Sequence, residues 1–188
     1  KGLVVILSGA SSVGKGPLRE RLLADKDLNL SYSISMTTRQ PKANEVEGKD
    51  YFFVSHRDFA EAVKNREFLE YTEFNGYYYG TPRKQVEDLV ADGKNVLIEV
   101  EAQGVGALKL NLPEAVAFFV MPESFEELEK QIQELYHDDQ ASVERRLNKA
   151  KMEMELAALF NHVVSNNDPE QSEKQIKEVL LKEMEKNR

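Results

Sequence analysis

The chain has 188 residues, 41% of them hydrophobic and 31% charged, and its formal net charge is −8. This length fits one compact domain, and the negative charge argues against nucleic acid or an anionic membrane surface as a main partner. The absence of cysteine excludes a disulfide framework and a thiolate metal site. An anionic ligand would need local positive potential from loop amides, helix N-termini and a few basic side chains.

The apolar runs do not predict a membrane protein. The longest runs, residues 2–7 and 115–121, are too short to cross a bilayer. No charged-then-apolar leader opens the sequence, so the expected location is the cytoplasm. The sequence does not indicate the oligomeric state.

The first elements predict the start of a βαβ unit. Residues 3–7 form a continuous apolar, β-branched run, which is typical of a strand buried on both faces. A glycine-containing loop follows, and the spacing of Leu18, Leu22 and Leu23 then predicts a helix.

A strand-rich segment follows this unit. Ser55 and Asp58 predict a capped helix near Phe59. Asn75-Gly76 is a strong hairpin turn signal. The predicted short strands are residues 31–37, 51–54, 68–74 and 77–79.

The second half returns to alternating strands and helices. Thr81-Pro82 predicts an N-cap with proline at the first helical position, and Gly93 predicts the end of that helix. Further strands are predicted at residues 95–100, 115–121 and 162–165. The predicted helices run from Ser124, with Glu127 in a capping box, to about Tyr136; from about Ser142 to Phe160; and from the Asp168-Pro169 cap onward. This order predicts an α/β fold with a three-layer parallel sheet, a β-rich insert and a helical lid.

The loop after the first strand has the pattern of a phosphate-binding loop. Its residues are Gly9, Ala10, Ser11, Ser12, Val13, Gly14 and Lys15, and they lie between a strand and a helix. Loop amides and the helix N-terminus can converge on phosphate oxygens, and Lys15 can reach the outer phosphates. Gly16 and Pro17 follow where a hydroxyl would otherwise meet magnesium. The alternative is a glycine-rich turn beside a surface lysine.

With this loop, the sequence resembles the guanylate kinase family over nearly its whole length. The segments that carry the resemblance are GASSVGK (9–15), SISMTTR (33–39), EVEGKDY (45–51), NGYYYGT (75–81), IEVEAQG (98–104) and VSNND (164–168). The resemblance implies Mg²⁺-dependent transfer of the γ-phosphoryl group of ATP to GMP. It also implies a P-loop core (1–34, 82–123 and 151–188), a GMP-binding insert (35–81) and a lid (124–150).

The resemblance assigns site residues position by position. The GMP phosphate would be held by Ser35, Arg39, Lys42, Tyr51 and Tyr79, and the guanine by Glu45, Glu70, Thr81 and Glu101. Catalysis would fall to Lys15, Arg39 and Arg146. ATP would contact Gly9, Ala10, Ser11, Ser12, Val13, Gly14, Lys15, Gly16 and Asn166, and Glu99 would meet Mg²⁺ through water.

Several of these residues have structural alternatives. Glu99 and Glu101 share a face at the end of a strand, and they could instead pair with Lys or Arg across the crevice. Residues 77–79 could be the aromatic face of a hairpin. Glu45, Glu70 and Arg39 could be surface charges.

The chain also departs from the family pattern. Ser12 replaces a glycine, and Pro17 replaces a threonine or serine. Lys42, Gln131 and Leu135 stand at arginine positions, and residues 135–138 replace an Arg-Gly-Thr segment. Three functions therefore stay open: a guanylate kinase with reduced activity, a catalytically impaired GMP-binding or protein-interaction module, and a kinase for another monophosphate.

Overall fold

The computed structural model describes residues 1–10, 13–165 and 168–187. The strands are β1 (Val4–Gly9), β2 (Leu30–Tyr32), β3 (Met36–Thr37), β4 (Phe52–Phe53), β5 (Phe68–Phe74), β6 (Tyr77–Pro82), β7 (Asn95–Glu99), β8 (Val116–Met121) and β9 (His162–Ser165). The helices are α1 (Lys15–Ala24), α2 (His56–Lys64), α3 (Arg83–Ala91), α4 (Val105–Asn111), α5 (Phe125–Leu135), α6 (Gln140–Glu155) and α7 (Pro169–Lys186). Short 3₁₀ helices span Ala102–Gly104 and Leu156–Leu159.

A parallel sheet of five strands forms the core, in the order β2-β7-β1-β8-β9. Every residue of β1 is buried, because β1 is central and helices cover both faces of such a sheet. The predicted α/β fold is therefore confirmed. The carboxyl ends of β1 and β7 meet at one edge, which is where ligands bind in sheets of this kind.

A second sheet, in the order β4-β3-β6-β5, forms the predicted β-rich insert. Its hairpin turns at Asn75 and Gly76, whose φ angles of 54° and 80° place both in the left-handed region. These angles are typical of the tight turn that matches strand twist, so the Asn-Gly signal is confirmed. The insert has a small core of its own around Phe59, Ala62 and Phe68.

The prediction of one strand over residues 31–37 is wrong, because the chain leaves one sheet and enters the other. β2 pairs with β7, whereas β3 pairs with β4 and β6. Between them, the side-chain amide of Gln85 accepts from the backbone N–H of Ile34 at 3.0 Å and donates to its carbonyl at 2.9 Å. The Gln85 side chain thus replaces a neighbouring strand at the crossing.

The predicted start of α3 is also shifted. Pro82 still belongs to β6, and the helix begins at Arg83 without a side-chain cap. The Thr81 hydroxyl, which was expected to cap it, donates to Glu70 instead, at 2.7 Å. A buried carboxylate needs a hydrogen-bond donor, whereas the N–H groups at the exposed start of a helix can be solvated by water.

The other helix boundaries follow local signals. Ser55, Ser124 and Asp168 cap their helices as predicted, and α3 ends before Gly93. The helix predicted from about Ser142 begins at Gln140 because Asp139 is its cap, and it gives way to the 3₁₀ turn after Glu155. Within the described residues, no helix combines the length and apolar composition needed to span a membrane.

We expect the substitution Asn95→Ala to lower the free energy of unfolding by about 2–3 kcal/mol, because two backbone groups lose their partner. The Asn95 side chain accepts from Leu3 N–H and donates to the Leu28 carbonyl, both at 3.0 Å. Urea denaturation measures the change. Asn148→Ala, at an exposed position of α6, should change stability by no more than about 0.5 kcal/mol. Equal effects of the two variants would contradict this account.

Candidate active site

A cavity of about 250 Å³ lies between the carboxyl edge of the central sheet and the insert. Its wall contains nine of the predicted site residues: Lys15, Ser35, Arg39, Lys42, Tyr51, Glu70, Tyr79, Glu99 and Glu101. It also contains residues that the sequence did not indicate, namely Arg19, Tyr32, Thr72, Phe74, Gly80 and Val100. The fold thus brings together positions from residue 15 to residue 101.

The loop after β1 requires glycine at two positions. A Cβ at Gly9 would lie 2.7 Å from the Val120 carbonyl oxygen, and Gly14 has a left-handed backbone with φ 80°. α1 then begins at Lys15, which lies on the cavity wall. The N-terminus of α1 is therefore directed to the cavity edge, where a helix favours an anion. Ser11, Ser12 and Asn166 lie outside the described residues.

Arg39 lines the cavity and is held there by Glu45. Its two terminal nitrogens donate to the two carboxylate oxygens at 2.8 and 3.0 Å, and the guanidinium lies 5.3 Å from the Tyr51 ring centre. The hydrogen bond from Arg39 lowers the pKa of Glu45, so the pair stays ionised. Lys42 contributes its backbone N–H to the same carboxylate at 2.8 Å.

This arrangement places Glu45 behind Arg39. Glu45 is not among the residues that line the cavity, and its contact with guanine stays a prediction. A bidentate carboxylate fixes the plane of a guanidinium. In the structure Glu45 therefore orients Arg39.

Glu70 also lines the cavity, and it is almost fully buried. Burial raises its pKa to about 7, and the negative charge of Glu101 contributes to the rise, while the hydrogen bond from Thr81 opposes it. A Cβ at position 104 would lie 2.6 Å from a Glu70 oxygen, so any other residue there would require the Glu70 carboxylate to shift. Thr81 is absent from the cavity wall and acts through Glu70.

Two further carboxylates pair with cations from distant elements. Arg19 of α1 donates to Glu99 at 2.7 Å and lies 5.7 Å from the Tyr32 ring centre. Lys149 of α6 lies 3.0 Å from Glu101 and 3.3 Å from the Phe74 ring centre. The predicted alternative, pairing with Lys or Arg across the crevice, is what the structure shows for both residues.

Three residues of the predicted lid, Arg146, Gln131 and Leu135, are not among those that line the cavity. The Arg146 guanidinium lies 3.9 Å from the Tyr136 ring centre and donates to the Ser142 hydroxyl at 3.3 Å. Gln131 and Leu135 are exposed on α5. Catalytic use of Arg146 therefore requires the side chain to leave its aromatic partner.

A metal ion would find few protein ligands here. In the ranges that the structure describes, no group of three or more His, Asp or Glu side chains could hold one. Glu99 offers a carboxylate on the cavity wall, and Arg19 bonds one of its oxygens, Oε2. This fits an ion bound mainly by phosphate oxygens, as magnesium is in kinases.

Arg19 is the missed residue with the clearest signal. It lies four residues after Lys15 on the same helix, so both side chains share one face. That spacing could have placed Arg19 beside the phosphate loop. Lys149 had no such signal, because its partners lie far away in the chain.

Comparisons with known proteins give a consistent result. The family model described as Guanylate kinase matches residues 1–183. The guanylate kinase of Mesoplasma florum is 43% identical over 97% of this chain and 62% of its own length. That of Bacillus cereus is 40% identical over 97% of this chain and 89% of its own length. The crystal structure of guanylate kinase from Anaplasma phagocytophilum superimposes with a TM-score of 0.79 at 31% identity, covering 97% of this chain and 86% of that one. The chain thus spans less than two thirds of the Mesoplasma protein and most of the other two.

We expect Glu70→Gln to change how stability depends on pH. The pKa of Glu70 is higher in the folded chain, about 7, than in the unfolded chain, so ionising it destabilises the fold. Its contribution is present at low pH and is lost as pH rises through about 7. The difference in the free energy of unfolding, variant minus parent, should therefore rise by on the order of 2 kcal/mol from about pH 5 to about pH 8.

Urea denaturation across this range measures the difference. Glu73→Gln is the matched control, because Glu73 is exposed on the same strand and its profile should run parallel to the parent. A Glu70→Gln profile parallel to the parent would show that the buried carboxyl titrates normally.

Proposed function

The chain belongs to the guanylate kinase family, and from this premise we propose that it transfers the γ-phosphoryl group of ATP to GMP, giving ADP and GDP. The observation that carries the proposal is the polarity of the cavity. Its wall carries Arg39, Lys42 and three hydroxyl side chains, and it also carries the Glu70 and Glu101 carboxylates, which we call the base end. A nucleotide with an anionic phosphate and a donor-rich base matches this polarity.

Guanine recognition falls to Glu70 and Glu101. The N1–H and exocyclic amine of guanine are hydrogen-bond donors that a carboxylate accepts, whereas adenine has no N1–H. A site built for such donors rejects analogues that leave its buried carboxylate unpaired. Guanine donors stabilise the ionised form of Glu70, so base binding lowers a pKa that burial has raised.

Phosphate recognition falls to the hydroxyls of Ser35, Tyr51 and Tyr79 together with Arg39. Arg39 has five N–H donors, and Glu45 engages its two terminal nitrogens. Glu45 thereby sets the plane of the guanidinium before the phosphate arrives. Lys42 adds a point charge beside them, which is less directional than a guanidinium.

Phosphoryl transfer depends on alignment and on cations around the migrating group. Lys15, at the start of α1, would contact the ATP phosphates together with the amides of the loop. Magnesium bound with ATP would neutralise phosphate charge, with Glu99 contacting it through water. Arg146 would join when the lid closes and would help to exclude water. Because both substrates are free nucleotides, the cytoplasmic location predicted from the sequence is part of this proposal.

We expect the chain to form GDP from GMP in the presence of ATP and magnesium, and Lys15→Met to lower the rate by about 10²–10³-fold. The variant removes a charge at the transferring phosphate and keeps the length of the side chain. Lys26→Met, at an exposed site just after α1, is the matched control and should retain the parental rate. Chromatographic detection of GDP measures all three. The absence of GDP at high concentrations of the parent would end the proposal.

The second candidate is a GMP-binding module with impaired catalysis. It is favoured by the lid, where Gln131 and Leu135 are exposed without charge and Arg146 stacks on Tyr136. Arginines that stabilise a transferring phosphate contribute about 10³–10⁵ in rate. Under this reading, calorimetry detects GMP binding without ATP binding.

Leu135→Arg separates the two candidates. The side chain of Leu135 is 67% exposed, so the larger arginine fits without disturbing the core. For a kinase limited by its lid, we expect kcat to rise at least about tenfold, because a guanidinium becomes available to the phosphate. Leu135→Gln is the control, since it removes the apolar side chain without adding charge. GDP formation by neither variant nor the parent would favour the binding module.

A further inference from the structure

Lys149 contacts the base end of the cavity from outside its wall. Its Nζ lies 3.0 Å from Glu101 Oε2 and 3.3 Å from the centre of the Phe74 ring. The Lys149 side chain is only 17% exposed, which is unusual for a lysine. One ammonium group therefore meets an anion and an aromatic face at the same time.

These contacts join three separate parts of the fold. Lys149 belongs to α6, which continues from the lid, Glu101 follows β7 of the central sheet, and Phe74 ends β5 at the insert hairpin. Glu101 and Phe74 both line the cavity. The lid helix, core and insert thus meet at one side chain.

The two interactions of Lys149 can favour the conformation in which α6 contacts the insert, and they can still break. A partly exposed ion pair and a cation over an aromatic face are each modest interactions. Together they would shift a two-state equilibrium by between about 2-fold and about 150-fold.

We propose that Lys149 is a positioning residue that holds Glu101 and the Phe74 hairpin together and so pre-forms the base end of the cavity before ligand binds. As a statement about GMP, this rests on the proposed function. Lys149 neutralises a carboxylate that stands near Glu70, and it keeps the insert against α6. Without it, Glu101 is an unpaired charge, and the hairpin loses its contact with the lid helix.

The binding consequence follows from population shift. The apparent dissociation constant equals the intrinsic one divided by the fraction of molecules that are competent to bind. Lys149→Met keeps the length and apolar contacts of the side chain but removes the charge. It should weaken GMP binding by more than about threefold and by up to about tenfold in calorimetry and raise KM for GMP by a similar factor, with kcat within about twofold.

Two variants separate positioning from a general structural effect. Lys149→Arg keeps the charge and should restore affinity to within about threefold of the parent. Lys151→Met makes the same change on the same helix at an exposed lysine that lies 5.2 Å from the Phe125 ring centre. It should leave GMP binding unchanged. Equal affinities of Lys149→Met and the parent would overturn the proposal, as would equal losses in both methionine variants.

A second measurement does not depend on nucleotide. Because the chain has no cysteine, Glu73→Cys and Asn148→Cys introduce a single pair of labelling sites at exposed positions beside the two contact residues. Spin labels there should show dipolar broadening in the empty protein, and Lys149→Met should reduce it. Unchanged broadening would overturn the proposal even if GMP binds. Reduced broadening in a protein that does not bind GMP would support the contact and refute the proposed substrate.

Discussion

The cavity beside the central sheet holds three carboxylates in a protein whose net charge is already negative. Glu70, Glu99 and Glu101 all reach one cavity of about 250 Å³. The chain manages this in two ways. Glu99 and Glu101 each pair with a cation from a helix distant in sequence, whereas burial raises the pKa of Glu70 so that proton uptake can relieve its charge. The shape and polarity of the site depend on this balance.

Among the residues proposed to bind the phosphate, a cation is likewise held by a partner of opposite charge. The bidentate contact with Glu45 fixes the plane of the Arg39 guanidinium before any ligand is present. When a donor is already oriented, less free energy is spent on reorganising it as the ligand binds. The pairing also explains why a carboxylate stands beside residues that are expected to bind a phosphate.

Much of the fold could be predicted because its signals are local. The apolar run of β1, the Asn-Gly turn and the caps at Ser55, Ser124 and Asp168 depend on a few neighbouring residues, and each formed as expected. The break between β2 and β3 could not be predicted, because it depends on Gln85, about fifty residues further along the chain.

In the candidate site, too, residues with local sequence signals could be predicted and residues that depend on distant partners could not. Nine of the predicted site residues, from Lys15 to Glu101, line the cavity, whereas Glu45 and Thr81, which were also predicted, stand behind residues that do. The partners of those residues did not stand out, because Arg19 meets Glu99 across 80 positions and Lys149 meets Glu101 across the crevice. A motif identifies a side chain that contacts ligand, whereas the charge that positions it comes from tertiary structure.

Gly104 limits which substitutions the cavity can accept beside Glu70. A methyl group there would lie 2.6 Å from the buried Glu70 carboxylate, which also accepts from the Thr81 hydroxyl. A side chain at that position would therefore require Glu70 to shift. Under the proposed function, changes of base preference are better introduced from the hairpin side than at the short 3₁₀ turn that carries Gly104.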